Sequence, residues 1–402
     1  MPKELKVGLA GLGAAARQVA PGFFHVPGVT LTAVADVRAD EVALWSKKFH
    51  LDGFHSVEDM AKHGDVDVIY IATPNHLHAP HSLAVADAGK HVICEKPMAI
   101  TMEESHQMVE AVEKNGVQYV QGHSKIYRPS IRKMGEVIAS GRLGPVHTIN
   151  TWNYTDWLRR PWPLWSLQEE HGGGVVYRQG PHQMDTVRYL AGGMVKSVRA
   201  IEGRHNPYFD VAGNYSAWLE FENGVVVMAH FNGYGYFDTS EITWSLGEGG
   251  QVVSDQKLYG PRRIQNAPVP EDEKYAMEEF SLDRMDVTGE RQTKTQDFFG
   301  ITIVSCERGD IRVQPHGLYV YTDNGREEVD MTATATHRGG AEVLELQEAL
   351  EQGRPTFPGA DYGRATLEVC LAIYESSREH REINMKYQSA SPIQVPVAAV
   401  GR

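Results

Sequence analysis

Short apolar runs alternate with longer stretches of helical period through the first third of the chain. Leu5 to Leu12 reads as a strand running into Gly11-Leu12-Gly13-Ala14-Ala15-Ala16, where a helix opens. Leu31–Ala35 is a second strand and ends on Asp36. Helices are expected over Asp40–His50 and Ser56–His63, a buried strand over Val66–Ala72, a turn at Thr73-Pro74-Asn75 and then a helix to about Gly89. His91–Cys94 is the next strand, and it stops abruptly on Glu95-Lys96-Pro97. Thr101-Met102-Glu103-Glu104 is a capping-box pattern ahead of an amphipathic helix to Lys114, and Val117–Val120 is a further strand. Repeated strand–helix units predict a doubly wound parallel sheet, assigned to residues 1–125.

Beyond Ser130 the period changes. Helices are expected at Ile131–Ser140, Val175–Leu190, Ala341–Gln352 and Ala365–Glu379. Strands are expected at Val146–Tyr154, Ser197–Ile201, Tyr215–Phe221, Val225–Phe231, Ile242–Leu246, Ile311–Val313 and Leu318–Tyr321. Glu222-Asn223-Gly224 and Asp323-Asn324-Gly325 are hairpin-turn signals, so this sheet is expected to be mostly antiparallel. Residues 126–385 form a second α/β unit in this reading, followed by an irregular tail at 386–402. The polar excursion between Asp255 and Asp297 carries no assigned element.

Composition narrows the partners. With 42% hydrophobic and 23% charged residues the chain is an ordinary globular protein, and its net charge of −13 argues against nucleic acid or an anionic membrane. An anionic substrate would therefore need a locally basic pocket. Cys94, Cys306 and Cys370 lie too far apart for a disulfide framework or a thiolate metal site, which fits a reducing cytoplasm. No apolar run approaches the roughly 18 residues of a membrane span, and Met1-Pro2-Lys3-Glu4-Leu5 lacks a signal-peptide pattern.

The chemistry gathers at the strand ends. Gly11 supports a tight turn, Gly13 a close backbone approach to a pyrophosphate, and Ala16 close helix–strand packing, with Ala14 and Ala15 opening the helix. Asp36 follows at the distance where an acid meets ribose hydroxyls, which predicts NAD, while Arg38 keeps NADP open. His76, His78 and His81 lack a companion carboxylate or thiolate at metal spacing, so this loop is read with Thr73, Pro74 and Asn75 as a cofactor contact and no metal is expected. Lys96, beside Glu95 and fixed by Pro97, projects from the carboxyl edge of the sheet. Arg178 and His182 stand four apart on one expected helix, with Asp185 a turn beyond, and Arg178, Gln179 and Asp185 are its expected substrate contacts, as Trp157, Arg159 and Arg160 are those of the preceding loop if that loop is a lid. Tyr154–Glu170, with Trp157, Arg159, Arg160, Trp162 and Trp165, reads as either a packed surface loop or a substrate lid.

In order and combination, the Gly11–Ala16 turn, Ala72-Thr73-Pro74-Asn75-His76, Glu95-Lys96-Pro97, Gly172-Gly173-Gly174 and His182-x-x-Asp185 resemble the glucose–fructose oxidoreductase/inositol dehydrogenase/rhizopine-catabolism (Gfo/Idh/MocA) family over about residues 5 to 385. The resemblance implies a Rossmann domain, a second domain whose open sheet mediates dimers or tetramers, and hydride transfer between NAD(P) and a hydroxyl-bearing carbon. It also implies that Lys96 is the catalytic lysine, with a frequently cis bond to Pro97, and His182 the active-site histidine. One departure is informative. Sugar and inositol enzymes of the family carry Asp four residues before that histidine, and this chain has Arg178. A guanidinium donates paired hydrogen bonds to a carboxylate, which predicts a small anionic substrate. Asn153–Leu158 together with Val176–Gln183, which includes Gln179, resembles the branch that oxidises phthalate cis-4,5-dihydrodiol to 4,5-dihydroxyphthalate. The rival readings are a sugar, sugar-acid or inositol dehydrogenase and a non-catalytic NAD-binding sensor.

Overall fold

The computed structural model describes residues 4–122, 125–192, 194–261, 266–270, 273–274, 282, 285, 295–332, 340–393 and 395–396. The first sheet joins β1 (Leu5–Ala10), β2 (Val29–Ala35), β3 (Asp52–Phe54), β4 (Val68–Ile71), β5 (His91–Cys94) and β6 (Tyr119–Gln121) in the order β3-β2-β1-β4-β5-β6. All its pairs are parallel. The order reverses beside β1, so a crevice opens between the carboxyl ends of β1 and β4, where ligands bind in such sheets. The helices α1 (Ala14–Phe23), α2 (Ala39–Phe49), α3 (Val57–His63), α4 (His78–Asp87) and α5 (Met102–Asn115) connect the strands. Thr101 and Glu104 complete the expected capping box at the start of α5.

α6 (Pro129–Ala139) leads into the second sheet. It comprises β7 (Val146–Tyr154), β8 (Val195–Gly203), β9 (Asn214–Phe221), β10 (Val226–Asn232), β11 (Ile301–Cys306), β12 (Gly309–Gln314), β13 (Gly317–Thr322), β14 (Gly325–Asp330) and β15 (Ile383–Asn384). The order is β14-β13-β12-β11-β7-β10-β9-β8-β15, antiparallel except where β7 meets β10. β3, β11, β14 and β15 have no counterpart among the strands expected from periodicity. Both hairpin signals turn as expected, joining β9 to β10 and β13 to β14. The chain then returns to the first sheet. Val343 and Leu346 of the helix Gly340–Gln352 pack fully buried in the core that holds β1 and α1, each contributing about 1.5–3 kcal/mol.

Two expectations are corrected. Ile242–Leu246 is not a strand: Thr239–Ile242 is a 3-10 turn, and Thr243 Oγ1 donates to the carbonyls of Thr239 (3.2 Å) and Leu246 (2.9 Å). These local bonds compete with a sheet ladder and win. The expected helix Val175–Leu190 is interrupted at Gln179, leaving α7 (Gly174–Arg178) and α8 (Gly180–Ala191). Pro181 has no N–H to continue the helical ladder through this point. In the 255–297 excursion, Asp255–Tyr259 is helical, and most of the remainder lies outside the described residues. The end of the expected tail, 397–402, also lies outside them.

Candidate active site

A cavity of about 900 Å³ runs from the β1–α1 turn across the carboxyl ends of β1, β4 and β5 to α7, α8 and the Arg159–Trp165 loop. Its nucleotide end is built on close backbone contact. Gly11 has φ +84°, and a Cβ there would stand 2.8 Å from the Ala72 carbonyl carbon. Only glycine lets these two turns abut. Gly13, Ala14 and Ala15 line the cavity at the start of α1, and no side chain caps that helix. Its first N–H groups therefore face the space where a pyrophosphate would sit.

Asp36, at the end of β2, accepts from the Leu12 N–H at 2.7 Å and from Arg38 Nε and Nη2 at 2.9 Å each. Burial would raise its carboxyl, but the Arg38 and Leu12 hydrogen bonds outweigh burial and hold it below the usual carboxylate range. Asp36 is thus an ionised acceptor at the nucleotide end. These residues fit a dinucleotide, with Asp36 toward the ribose and Gly11–Ala15 toward the phosphates.

Thr73, Pro74 and Asn75 form the middle wall. Asn75 is buried and donates from Nδ2 to the Gly172 carbonyl at 2.8 Å, which ties the first sheet to the triple-glycine turn. That turn has no room for a side chain at Gly172, whose φ is +74° and whose Cβ would meet Ile100 at 2.6 Å. His78 also lines this wall, its ring set between the carbonyls of Pro97 (2.7 Å) and Thr73 (2.9 Å), to one of which the neutral ring donates its single N–H. Burial lowers its imidazole to about 4. It braces the turn that carries Lys96. Among the described residues, no group of three or more His, Cys, Asp or Glu is arranged to hold a metal.

Lys96 sits past the end of β5, and its bond to Pro97 is cis. Its Nζ donates to the Arg178 carbonyl at 2.8 Å. The break at Gln179 makes this contact possible, because a continuous helix would commit that carbonyl to its own ladder. Burial first, and then the Arg178 guanidinium, lower the Lys96 ammonium to about 8, against the opposing pull of Glu95 and Glu248. Glu95 is itself raised by burial, which outweighs Lys96 and the Tyr70 hydroxyl that donates to it at 3.2 Å.

The Arg178 guanidinium lies over the indoles of Trp162 (5.0 Å) and Trp165 (4.7 Å), and its Nη1 donates to Asn75 Oδ1 at 3.4 Å. Gln179 and His182 line the same wall. The His182 ring meets the Phe299 edge at 5.3 Å, and Lys125 lies over Phe299 at 4.9 Å. Arg159 and Arg160 also line the cavity. Arg160 Nε donates to Asp156 at 2.8 Å, with Glu248 3.9 Å from its Nη1, while Arg159 Nε donates to the Tyr234 carbonyl at 2.5 Å.

Two expected substrate contacts are corrected. Trp157 is fully buried and lies outside the cavity lining. It supports Trp162, whose Nε1 donates to the Trp157 carbonyl at 2.6 Å. Asp185 lies behind Lys96 and His182, lining a separate small cavity with Gln121 and Thr366. Sequence reasoning missed Lys125, Lys274 and Glu248, all of which line the main cavity. Lys125 follows β6 at the same carboxyl edge that singled out Lys96, so that logic reaches it. Lys274 and Glu248 carry no local signal.

Comparison with known proteins gives two family matches: "Oxidoreductase family, NAD-binding Rossmann fold" over residues 5–123, and "GFO/IDH/MocA C-terminal domain" over residues 131–252. The chain is 31% identical over 378 residues to a 1-carboxy-3-chloro-3,4-dihydroxycyclohexa-1,5-diene dehydrogenase of Comamonas testosteroni, covering 93% of this chain and 95% of that protein. A crystal structure from Bordetella bronchiseptica RB50 superposes with a TM-score of 0.83 at 32% identity, covering 95% of this chain and all (100%) of the other. A levoglucosan dehydrogenase solved with NADH and levoglucosan has a TM-score of 0.72 at 20% identity, over 95% of this chain and 99% of that one, a likeness that bears on the fold alone.

Proposed function

The chain belongs to the Gfo/Idh/MocA oxidoreductase family and is an NAD-dependent oxidoreductase acting on hydroxyl-bearing carbon, and on that premise we propose that it oxidises a carboxylated cis-dihydrodiol. Phthalate cis-4,5-dihydrodiol, giving 4,5-dihydroxyphthalate, is the substrate that fits this reading. The observation that carries it is Arg178, a guanidinium on the cavity wall between two indoles, whose own carbonyl holds Lys96. A carboxylate paired with Arg178 sets the rest of a small ring within reach of Lys96. The Comamonas relative, named for a carboxylated dihydroxycyclohexadiene, supports the same substrate class.

In this mechanism the substrate hydroxyl displaces the Arg178 carbonyl as the partner of Lys96 Nζ. Lys96, lowered to about 8, has a neutral fraction near neutral pH and accepts the hydroxyl proton. His182 hydrogen-bonds the same oxygen and orients it. Bound NAD supplies the hydride acceptor. The resulting ring ketone tautomerises, its neighbouring C–H proton leaving while the ketone oxygen takes up a proton, to give a catechol, and aromatisation makes the oxidation one-way. The lowered lysine speaks against a purely NAD-sensing role, which would need no base here.

The test is NADH formation by the purified protein with the phthalate dihydrodiol beside sugars, sugar acids and inositols. Turnover of the dihydrodiol is expected. Turnover confined to neutral polyols would remove the carboxylate role of Arg178.

At the other end of the cavity, Asp36→Ala is expected to raise KM for NAD at least about tenfold through loss of charge-assisted hydrogen bonds. It should also narrow the preference over NADP by freeing Arg38. An unchanged KM for both would take Asp36 out of the binding site.

We propose in addition that the open face of the second sheet joins copies of the chain into a dimer or tetramer. Ile201, Trp218 and Met228 stand exposed there, with Trp218 opposite Met228 in register. Trp218→Glu is expected to lower the mass measured by light scattering, and an unchanged mass would move the interface elsewhere.

A further inference from the structure

Gln179 stands where α7 ends and α8 begins, and its main chain is committed there. Its N–H donates to the Val175 carbonyl at 2.8 Å, and its carbonyl accepts from the Gln183 N–H at 3.4 Å. Its side chain is not committed. The residue ahead of a helix commonly caps it with a side-chain oxygen, yet the Gln179 side chain makes no cap hydrogen bond to α8. Gln179 is 8% exposed and lines the main cavity, and among the described residues nothing hydrogen-bonds its amide. A buried amide without partners is costly to keep, so its place on this wall calls for a ligand. Asn75, Asn153, Thr155 and Thr243 of the same lining are already engaged, with Gly172 and Arg178, with Glu248, with the Trp157 N–H, and with the carbonyls of Thr239 and Leu246, respectively.

Position decides what the ligand group is. Lys96 Nζ donates to the Arg178 carbonyl at 2.8 Å, and that carbonyl belongs to the peptide plane that ends at the Gln179 Cα. A planar trans peptide sets this Cα about 3 Å from the carbonyl oxygen, hence within about 6 Å of Lys96 Nζ. We infer that Gln179 holds the second hydroxyl of the diol, on the carbon beside the one that is oxidised. This rests on the dihydrodiol reading and adds to it the residue that tells a diol from a lone alcohol. An amide offers both a donor and an acceptor, and a hydroxyl is both, so the pair is matched whichever way the hydroxyl proton points. A carboxylate only accepts and would leave the amide oxygen unanswered, which keeps the acid group at Arg178. With one hydroxyl on Lys96 and the next on Gln179, the ring is held at two neighbouring carbons and cannot swivel about a single oxygen.

The experiment measures inhibition of dihydrodiol turnover by two stable saturated analogues. One is a cyclohexane dicarboxylate carrying a single hydroxyl, and the other is the same ring carrying a cis pair of hydroxyls. The wild type, Gln179→Leu and Gln179→Glu are compared. The wild type is expected to bind the diol about tenfold more tightly than the lone alcohol, the worth of one hydrogen bond. Gln179→Leu, of similar size but without polar atoms, should bring the ratio near one. Gln179→Glu still accepts from a hydroxyl and should keep much of it. NAD binding, followed by fluorescence, checks that each variant is folded. A ratio that Gln179→Leu leaves intact, or a wild type that does not distinguish the analogues, overturns the inference while the dihydrodiol reading stands. So does a Gln179→Leu whose loss falls on NAD binding, which would assign the amide to the cofactor. A wild type that turns over no dihydrodiol overturns both.

Discussion

Lys96→Met is expected to lower kcat by about 10²–10⁴-fold, the usual contribution of a positioned general base, while NAD binding persists. Methionine keeps the length and apolar stem of lysine, so the packing past β5 survives the change. The wild-type pH profile carries the sharper test. Burial and Arg178 lower the Lys96 ammonium to about 8, and only the neutral amine accepts a proton. Activity should therefore rise with pH, level off above about 8, and lose this limb in Lys96→Met. The sign follows from the cause: a depressed lysine is charged and inactive on the acid side and neutral and active on the alkaline side. A variant that keeps both its turnover and its acid limb would transfer the role of base to His182.

What the sequence made legible was chemistry placed at the ends of regular elements. Gly11, Asp36 and Lys96 were visible because a parallel sheet presents its strand ends to one crevice, and each strand carried a clear apolar signature. Arg178 and His182 were visible as residues, but the reason that Arg178 meets Lys96 was not. The i,i+4 spacing places two residues on one face of a continuous helix, whereas the contact with Lys96 depends on the break at Gln179. Pro181 was in plain view, and proline is well tolerated in a first helical turn, so it marks a fresh helix start as readily as a kink. The place of Trp157 was not legible, because an aromatic–basic loop has the same composition whether a given indole faces the cavity or the core. The parallel pairing of β7 with β10 and the approach of Lys274 to Trp162 depend on distant parts of the chain. No local period encodes either one.

Replacing Arg178 by methionine acts on two observables at once. The first is binding. Losing a charge-assisted contact to the substrate carboxylate should raise KM for the dihydrodiol by about 10- to 100-fold, with a much smaller change for a neutral polyol offered to the same variant. The second is the pH profile. The guanidinium ranks next after burial among the causes that depress Lys96, so removing it returns the ammonium toward its ordinary value and shifts the acid limb to higher pH. A residue that only held substrate would raise KM and leave the limb in place, and one that only tuned Lys96 would shift the limb without discriminating between charged and neutral substrates. Arg178→Lys separates the two roles further. It restores the cation near Lys96, and with it much of the limb, but it cannot reproduce the planar fork or the stacking between Trp162 and Trp165. KM for the carboxylated substrate should therefore stay high in Arg178→Lys while the pH limb moves back toward that of the wild type. If KM and the limb recover together, the planar fork contributes nothing to recognition and a simple positive charge at this position is sufficient.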